Sequence, residues 1–214
     1  MAGKKKLRGR TSRGKKYSSG WGGARPGAGR PPDPNSGEPH TPRPSFRSRT
    51  AAHATLQLVE GLPSLRSALP KGVVLDCLRS ATEREELEPT GFRVVHFSLQ
   101  RDRIELLVEA DEPEALARGM QGLCIRISRN LNRELGRSGS VFADRYGATL
   151  VRTPAELRAA LAIVLPKAGK SDSSTSAAWA RSARPSKRKA AAAADEEPPP
   201  VLPARTPLLR KAGV

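Results

Sequence analysis

The sequence predicts an α+β fold: a ferredoxin-like βαββαβ sandwich over residues 50–167, an antiparallel sheet with helices on one face. Disordered basic tails flank it. Three observations predict this. Two strand-like runs, Phe92–Leu99 and Arg103–Ala110, are joined by only Gln100, Arg101 and Asp102, which makes them a hairpin. A segment of helical period lies on each side of that hairpin, at 71–86 and 111–135. A further strand-like run opens the region and another follows the second helical segment.

Taken in order, Ala54–Val59 alternates apolar and polar residues and reads as the first strand. Leu62–Arg66 is a turn. From Lys71 to about Glu86, Val74, Cys77, Leu78 and Ala81 recur at helical spacing and mark a buried face. Pro89, Thr90 and Gly91 turn the chain into the hairpin. In its second strand Ile104, Leu106 and Val108 point one way, and Arg103, Glu105, Leu107 and Glu109 the other. One face is therefore core, and the other is expected to be polar and open. His96 falls on the same alternating face as Val94 and reads as a packed histidine. Acidic residues and Pro113 open the next helix, which runs to about Leu135 and stops at Gly136. Its apolar stripe holds Leu116, Met120, Leu123, Ile127 and Leu131, and Arg126, Arg129, Arg133 and Arg137 lie off it. Val141–Tyr146 and Ala148–Arg152 read as extended. Thr153 and Pro154 then cap a helix to about Leu165, with Leu157, Ala160, Leu161 and Val164 inward.

The formal net charge of the 214 residues is +17, and it is unevenly placed. Residues 1–50 hold 13 Lys and Arg against 2 acids, residues 51–166 hold 15 against 15, and residues 167–214 hold 10 against 4. A neutral domain thus carries two basic tails, an arm at 1–49 and a tail at 168–214. Both are poor in aliphatic residues and are expected to be disordered. Cationic tails bind polyanions by counterion release without reading sequence, and nucleic acid is the polyanion expected. Arg25 and Arg30 sit among Gly and Pro in residues 22–32, a slim backbone suited to a narrow minor groove or to a plain linker. Cys77 and Cys124 lack metal-ligand spacing and read as buried thiols in a reducing compartment. No apolar run reaches the ~18 residues that span a bilayer, and no apolar stretch follows Lys4–Lys6, so neither membrane insertion nor export is expected. The expected location is cytoplasmic, beside the nucleoid.

Two blocks carry a resemblance. The hairpin keeps Gln100, Ile104, Leu106, Val108 and Glu109, and the later segment keeps Val141, Phe142, Asp144, Arg145 and Tyr146. Together they resemble the REP-associated tyrosine transposases, single-tyrosine members of the HUH nuclease superfamily. The resemblance covers the whole domain and the Gly-Arg segment of the arm. It implies hairpin-DNA binding and single-strand transposition, in which two His on the hairpin strand hold a divalent metal and a Tyr on the last helix attacks the phosphate. In this chain the metal-ligand positions are Arg103 and Glu105, and the nucleophile position is Ile163. A guanidinium has no acceptor and cannot ligate, and an aliphatic side chain cannot attack.

The function expected from these residues is DNA binding without strand cleavage. The alternatives are an active transposase, and an RNA- or DNA-binding regulatory protein derived from one. The DNA contacts are expected from Arg25, Arg30, Arg126, Arg129, Arg133, Arg145 and Arg152. No cofactor is expected, with Mg²⁺ or Mn²⁺ required only if cleavage survives. Tyr146 is the fallback nucleophile. Neighbouring first and third strands would let His53 approach Glu105, the one weak metal candidate. The partner is nucleic acid, as DNA in hairpin or single-stranded form, with a homodimer left open. Arg103 and Glu105, two apart on one strand face, could pair with each other or with neighbours.

Overall fold

In the computed structural model the described residues are 45–165, 176 and 200–213. Four strands, β1 (Thr50–Gln57), β2 (Phe92–Leu99), β3 (Arg103–Ala110) and β4 (Gly147–Val151), form one sheet in the order β2-β3-β1-β4. Every neighbouring pair is antiparallel. With α1 (Ala68–Leu87) after β1 and α2 (Pro113–Glu134) after β3, this is the expected ferredoxin-like arrangement.

Ala52, Ala54 and Leu56 of β1 and Ile104, Leu106 and Val108 of β3 meet Val74 and Leu78 of α1 and Met120, Leu123 and Ile127 of α2 in one core. The helix α1 begins at Ala68, ahead of the expected Lys71, because Pro70 sits in its first turn, where no intrahelical N–H bond is lost. Gly119 of α2 is required by close approach. A Cβ there would lie 2.1 Å from Cγ of the Phe92 ring.

The alternation of β2 is interrupted. Val94 pairs with Val108, but the next pair is His96 with Leu107, so Val95 is an extra residue in the strand. Val94 and Phe97 therefore both reach the first core, which strict alternation forbids. His96 does not share a face with Val94, as the sequence reading had it. It stands in register with Leu107 on the opposite side.

That opposite side is not open. Helix α3 (Pro154–Val164) lays Leu157, Ala160 and Val164 against Ala51, Val95, Leu107 and Val151 in a second apolar cluster. The start of α3 is a complete capping box between Thr153 and Glu156, as Thr153-Pro154 announces. Residues 200–213 then add a short helix, α4 (Pro207–Lys211), whose Leu209 is fully buried in the same cluster. Leu202 N–H donates to the Val94 carbonyl at 2.9 Å, and Arg93 Nη1 donates to the Pro203 carbonyl at 2.9 Å. The backbone N–H groups of Arg205 and Thr206 donate to the Glu109 carboxylate at 2.7 and 2.6 Å.

Two expectations are thereby corrected. The Arg103–Glu109 face is covered beyond Arg103, and Glu105, Leu107 and Glu109 are all at most 3 % exposed. The tail is placed on the sheet from residue 200, because Leu209 has an apolar seat there and Leu202, buried, bonds to the edge strand. The rest of 168–214, apart from Ser176, and the arm up to residue 44 lie outside the described residues.

Candidate nucleic-acid interface and the polar rows of the second face

Register across the sheet stacks the second-face side chains in rows. His96, Leu107, His53 and Thr149 form one row, and Ser98, Glu105, Thr55 and Gly147 the next. Where the rows meet, His53 Nε2 lies 2.8 Å from Glu105 Oε2, and Thr55 Oγ1 donates to the same oxygen at 2.7 Å. Glu105 is buried and His53 is partly exposed. The approach of His53 to Glu105 follows directly from β1 lying beside β3. Glu105 does not pair with Arg103, whose Nε is 3.5 Å from Asp102 Oδ1 at the hairpin tip. Gln57 Nε2 also donates to Asp102, and that bond, ahead of the neighbouring charge of Arg103, lowers the Asp102 pKa.

His53 and Glu105 do not fit a metal centre. They bond to each other, and two donors fall short of the three protein ligands of a catalytic site. Among the described residues no group of three or more His, Cys, Asp or Glu is placed to hold an ion.

His96 is a buried structural histidine. Its Nδ1 is 2.8 Å from Ser176 Oγ, and Ser176 N–H donates to the Phe97 carbonyl at 3.0 Å. Burial lowers its pKa from the ordinary value to about 4. In the unfolded chain the imidazole titrates near ~6.5. The unfolded state therefore binds more protons between those values, and stability falls as pH drops through that window. Unfolding in urea at pH 7 and pH 5 should show a loss of about 2 kcal/mol from this group, and His96→Gln should remove that part of the loss. An equal loss in the variant would mean that the acid sensitivity lies elsewhere.

The arginines expected to contact nucleic acid fall into two groups. Arg126, Arg129 and Arg133 follow one another by three and four residues along α2, on the side away from its buried stripe. Arg129 and Arg133 are exposed, Arg126 is half-buried, and Arg133 Nε lies 3.1 Å from Glu134 Oε1. Arg137 is turned back, with Nη2 donating to the Ser140 carbonyl at 3.1 Å. The second group is separate. Arg145 is half-buried beside β4, and Arg152 is exposed, with Nη2 donating to the Ser45 carbonyl at 3.2 Å. Arg25 and Arg30 lie outside the described residues.

Tyr146 is 8 % exposed and belongs to the first core, across the sheet from Glu105. The segment before it is only partly extended. Phe142 bridges to Leu58, and Val59 N–H donates to the Val141 carbonyl, but the chain turns again before β4. Ile163 is on the exposed side of α3, with 44 % of its surface accessible. Glu109, which the sequence reading took only as frame, proves to anchor the C-terminal segment. No described helix is long and apolar enough to cross a membrane.

No protein-family model matches the chain. No curated protein matches it either. Among solved structures, the REP-associated tyrosine transposase bound to a REP hairpin overlaps 57 % of this chain and 67 % of its own, at 11 % identity and a TM-score of 0.42. A candidate transposase from Deinococcus radiodurans R1 overlaps 57 % of this chain and 95 % of its own, at 13 % identity and a TM-score of 0.41.

Proposed function

We propose that this chain is a DNA-binding protein on the frame of the single-tyrosine transposases that grips nucleic acid without cutting it. The observation that carries the reading is the ridge of Arg126, Arg129 and Arg133 on α2, a cationic line on a domain of zero net charge. Guanidinium groups at that spacing suit successive backbone phosphates. The basic arm, with Arg25 and Arg30, adds attraction that needs no sequence readout.

The loss of cleavage rests on side-chain chemistry. Arg103 cannot ligate a cation, Glu105 is engaged by His53 and Thr55, and Ile163 has no nucleophilic atom. Tyr146, the tyrosine of the 50–167 domain, is packed into the apolar core.

The test is the salt dependence of binding to a hairpin oligonucleotide. Each arginine on a phosphate contributes about 0.9 to the slope of log K against log salt. The double variant Arg129→Ala/Arg133→Ala should lower that slope by about 2, with affinity weakened alike across sequences. An unchanged slope would remove the ridge from the interface.

A further inference from the structure

A cleft of ≈ 240 Å³ lies between α1 and α2, at the end where α1 finishes and α2 begins. Its floor is formed by small residues, Gly119 and Gly122 with Ala81 and Ala115, over the edge of Phe92. Three arginines stand on its rim: Arg84 from α1, and Arg118 and Arg126 from α2. Glu85, 3 % exposed, lies at its inner end, with Oε2 accepting from Thr90 N–H at 2.6 Å and Thr90 Oγ1 at 2.7 Å. Its other oxygen, Oε1, has Arg93 Nη2 at 3.9 Å.

We propose that this cleft binds a single nucleotide unit, with the phosphate on the arginine rim and the flat base against the glycine floor. The inference rests on the nucleic-acid reading above and extends it. Three guanidinium groups around one opening favour a phosphate, which they can grip in fork geometry. Among the described residues Arg118 is held by an exposed pair with Glu112 at 3.3 Å, which a phosphate can displace at little cost. The apolar floor favours a ligand with a flat body rather than a bare anion. The volume is below the ~300–1,000 Å³ usual for drug-sized ligands, so the site takes one ring and one phosphate and not a dinucleotide. Arg126 belongs both to this rim and to the α2 ridge, so a strand held along the ridge passes the mouth of the cleft.

Gly122 allows a test that spares the fold. It is exposed on α2, a Cβ built there meets nothing within 4 Å, and Leu is a better helix former than Gly. Gly122→Leu fills the cleft, and Arg84→Ala removes a rim charge away from the ridge. Both variants of the full chain would be titrated with adenosine 5′-monophosphate, with inorganic phosphate, and with a hairpin carrying one unpaired adenosine beside a fully paired control. The free nucleotide and the unpaired base separate the two sources of the ligand. The proposal expects Gly122→Leu to weaken the nucleotide or the unpaired-base hairpin at least about tenfold, and Arg84→Ala about fivefold, with the paired hairpin unchanged. Phosphate alone should bind at least about tenfold more weakly than the nucleotide. If Gly122→Leu leaves both the nucleotide and the unpaired-base hairpin unaffected, or the nucleotide binds no better than phosphate, the cleft is not such a site. That failure is separate from failure of the ridge, which Arg129→Ala/Arg133→Ala reads on the paired hairpin.

Discussion

Replacing Gly119 with Ala should cost the domain at least about 2 kcal/mol, while the same change three residues later, at Gly122, should stabilise it by about 1 kcal/mol. Both glycines lie inside α2, where Gly is about 1 kcal/mol worse than Ala on propensity alone. Propensity therefore predicts the same gain at both positions, and packing decides the sign. At Gly119 a Cβ would stand 2.1, 2.4 and 2.6 Å from Cγ, Cδ1 and Cδ2 of Phe92, inside the ring. Phe92 is 5 % exposed, so it cannot swing clear without leaving the core. Expelling a buried Phe forfeits up to about 3–5 kcal/mol, and overpacking alone costs about 1–3. At Gly122 the added methyl meets nothing within 4 Å. Urea unfolding of the two variants reads both signs at once. Stabilisation of both would mean that Phe92 does not pack against α2 in this way.

Glu109→Leu should cost about 3 kcal/mol or more and release residues 200–213 from the sheet. The Glu109 carboxylate is 1 % exposed and accepts the backbone N–H groups of Arg205 and Thr206, the residues leading into α4. Bonds to a charged acceptor contribute about 1.5–3 kcal/mol each. The loss propagates to Arg93, which is 6 % exposed. Burial, ahead of the nearby Arg205 charge, lowers the Arg93 pKa, while Glu85 and Glu109 support its charge. Without Glu109 the buried guanidinium keeps one neighbouring carboxylate among the described residues, Glu85 at 3.9 Å. Leu209 then has no anchor in its seat against Val95 and Leu107. Amide exchange should rise at Leu202 and from Arg205 to Leu209, with α1 and α2 unaffected. Unchanged protection at Leu209 would show that the apolar seat alone holds the segment.

Much of this architecture is legible in the sequence because its signals are local. The bounds of β2 and β3 follow from their two strand-like runs and from the three-residue link between them. The box at Thr153 and Glu156 gives the start of α3. The His53–Glu105 contact follows from strand order alone. What the sequence reading missed depends on breaks in pattern or on distant partners. The bulge at Val95 does leave a trace, since Val94 and Phe97 are both apolar core residues three apart in a strand. Leu107, on a face otherwise holding Arg103, Glu105 and Glu109, is the residue that announces a cover. The cover itself hides in a Pro- and Arg-rich tail, where Leu202 and Leu209 are too sparse to move the average composition. The partner of Glu109 lies 96 residues away, beyond any periodicity argument.

The central claim is that the chain holds DNA through its arginine ridge and leaves the strand whole. One measurement tests it most directly: a hairpin oligonucleotide titrated at several salt concentrations with Mn²⁺ present, each sample then run under denaturing conditions. The account predicts salt-dependent binding whose slope falls by about 2 in Arg129→Ala/Arg133→Ala, with the DNA recovered intact and free of protein. A covalent protein–DNA adduct, or binding that ignores both the salt and the two arginines, would contradict it.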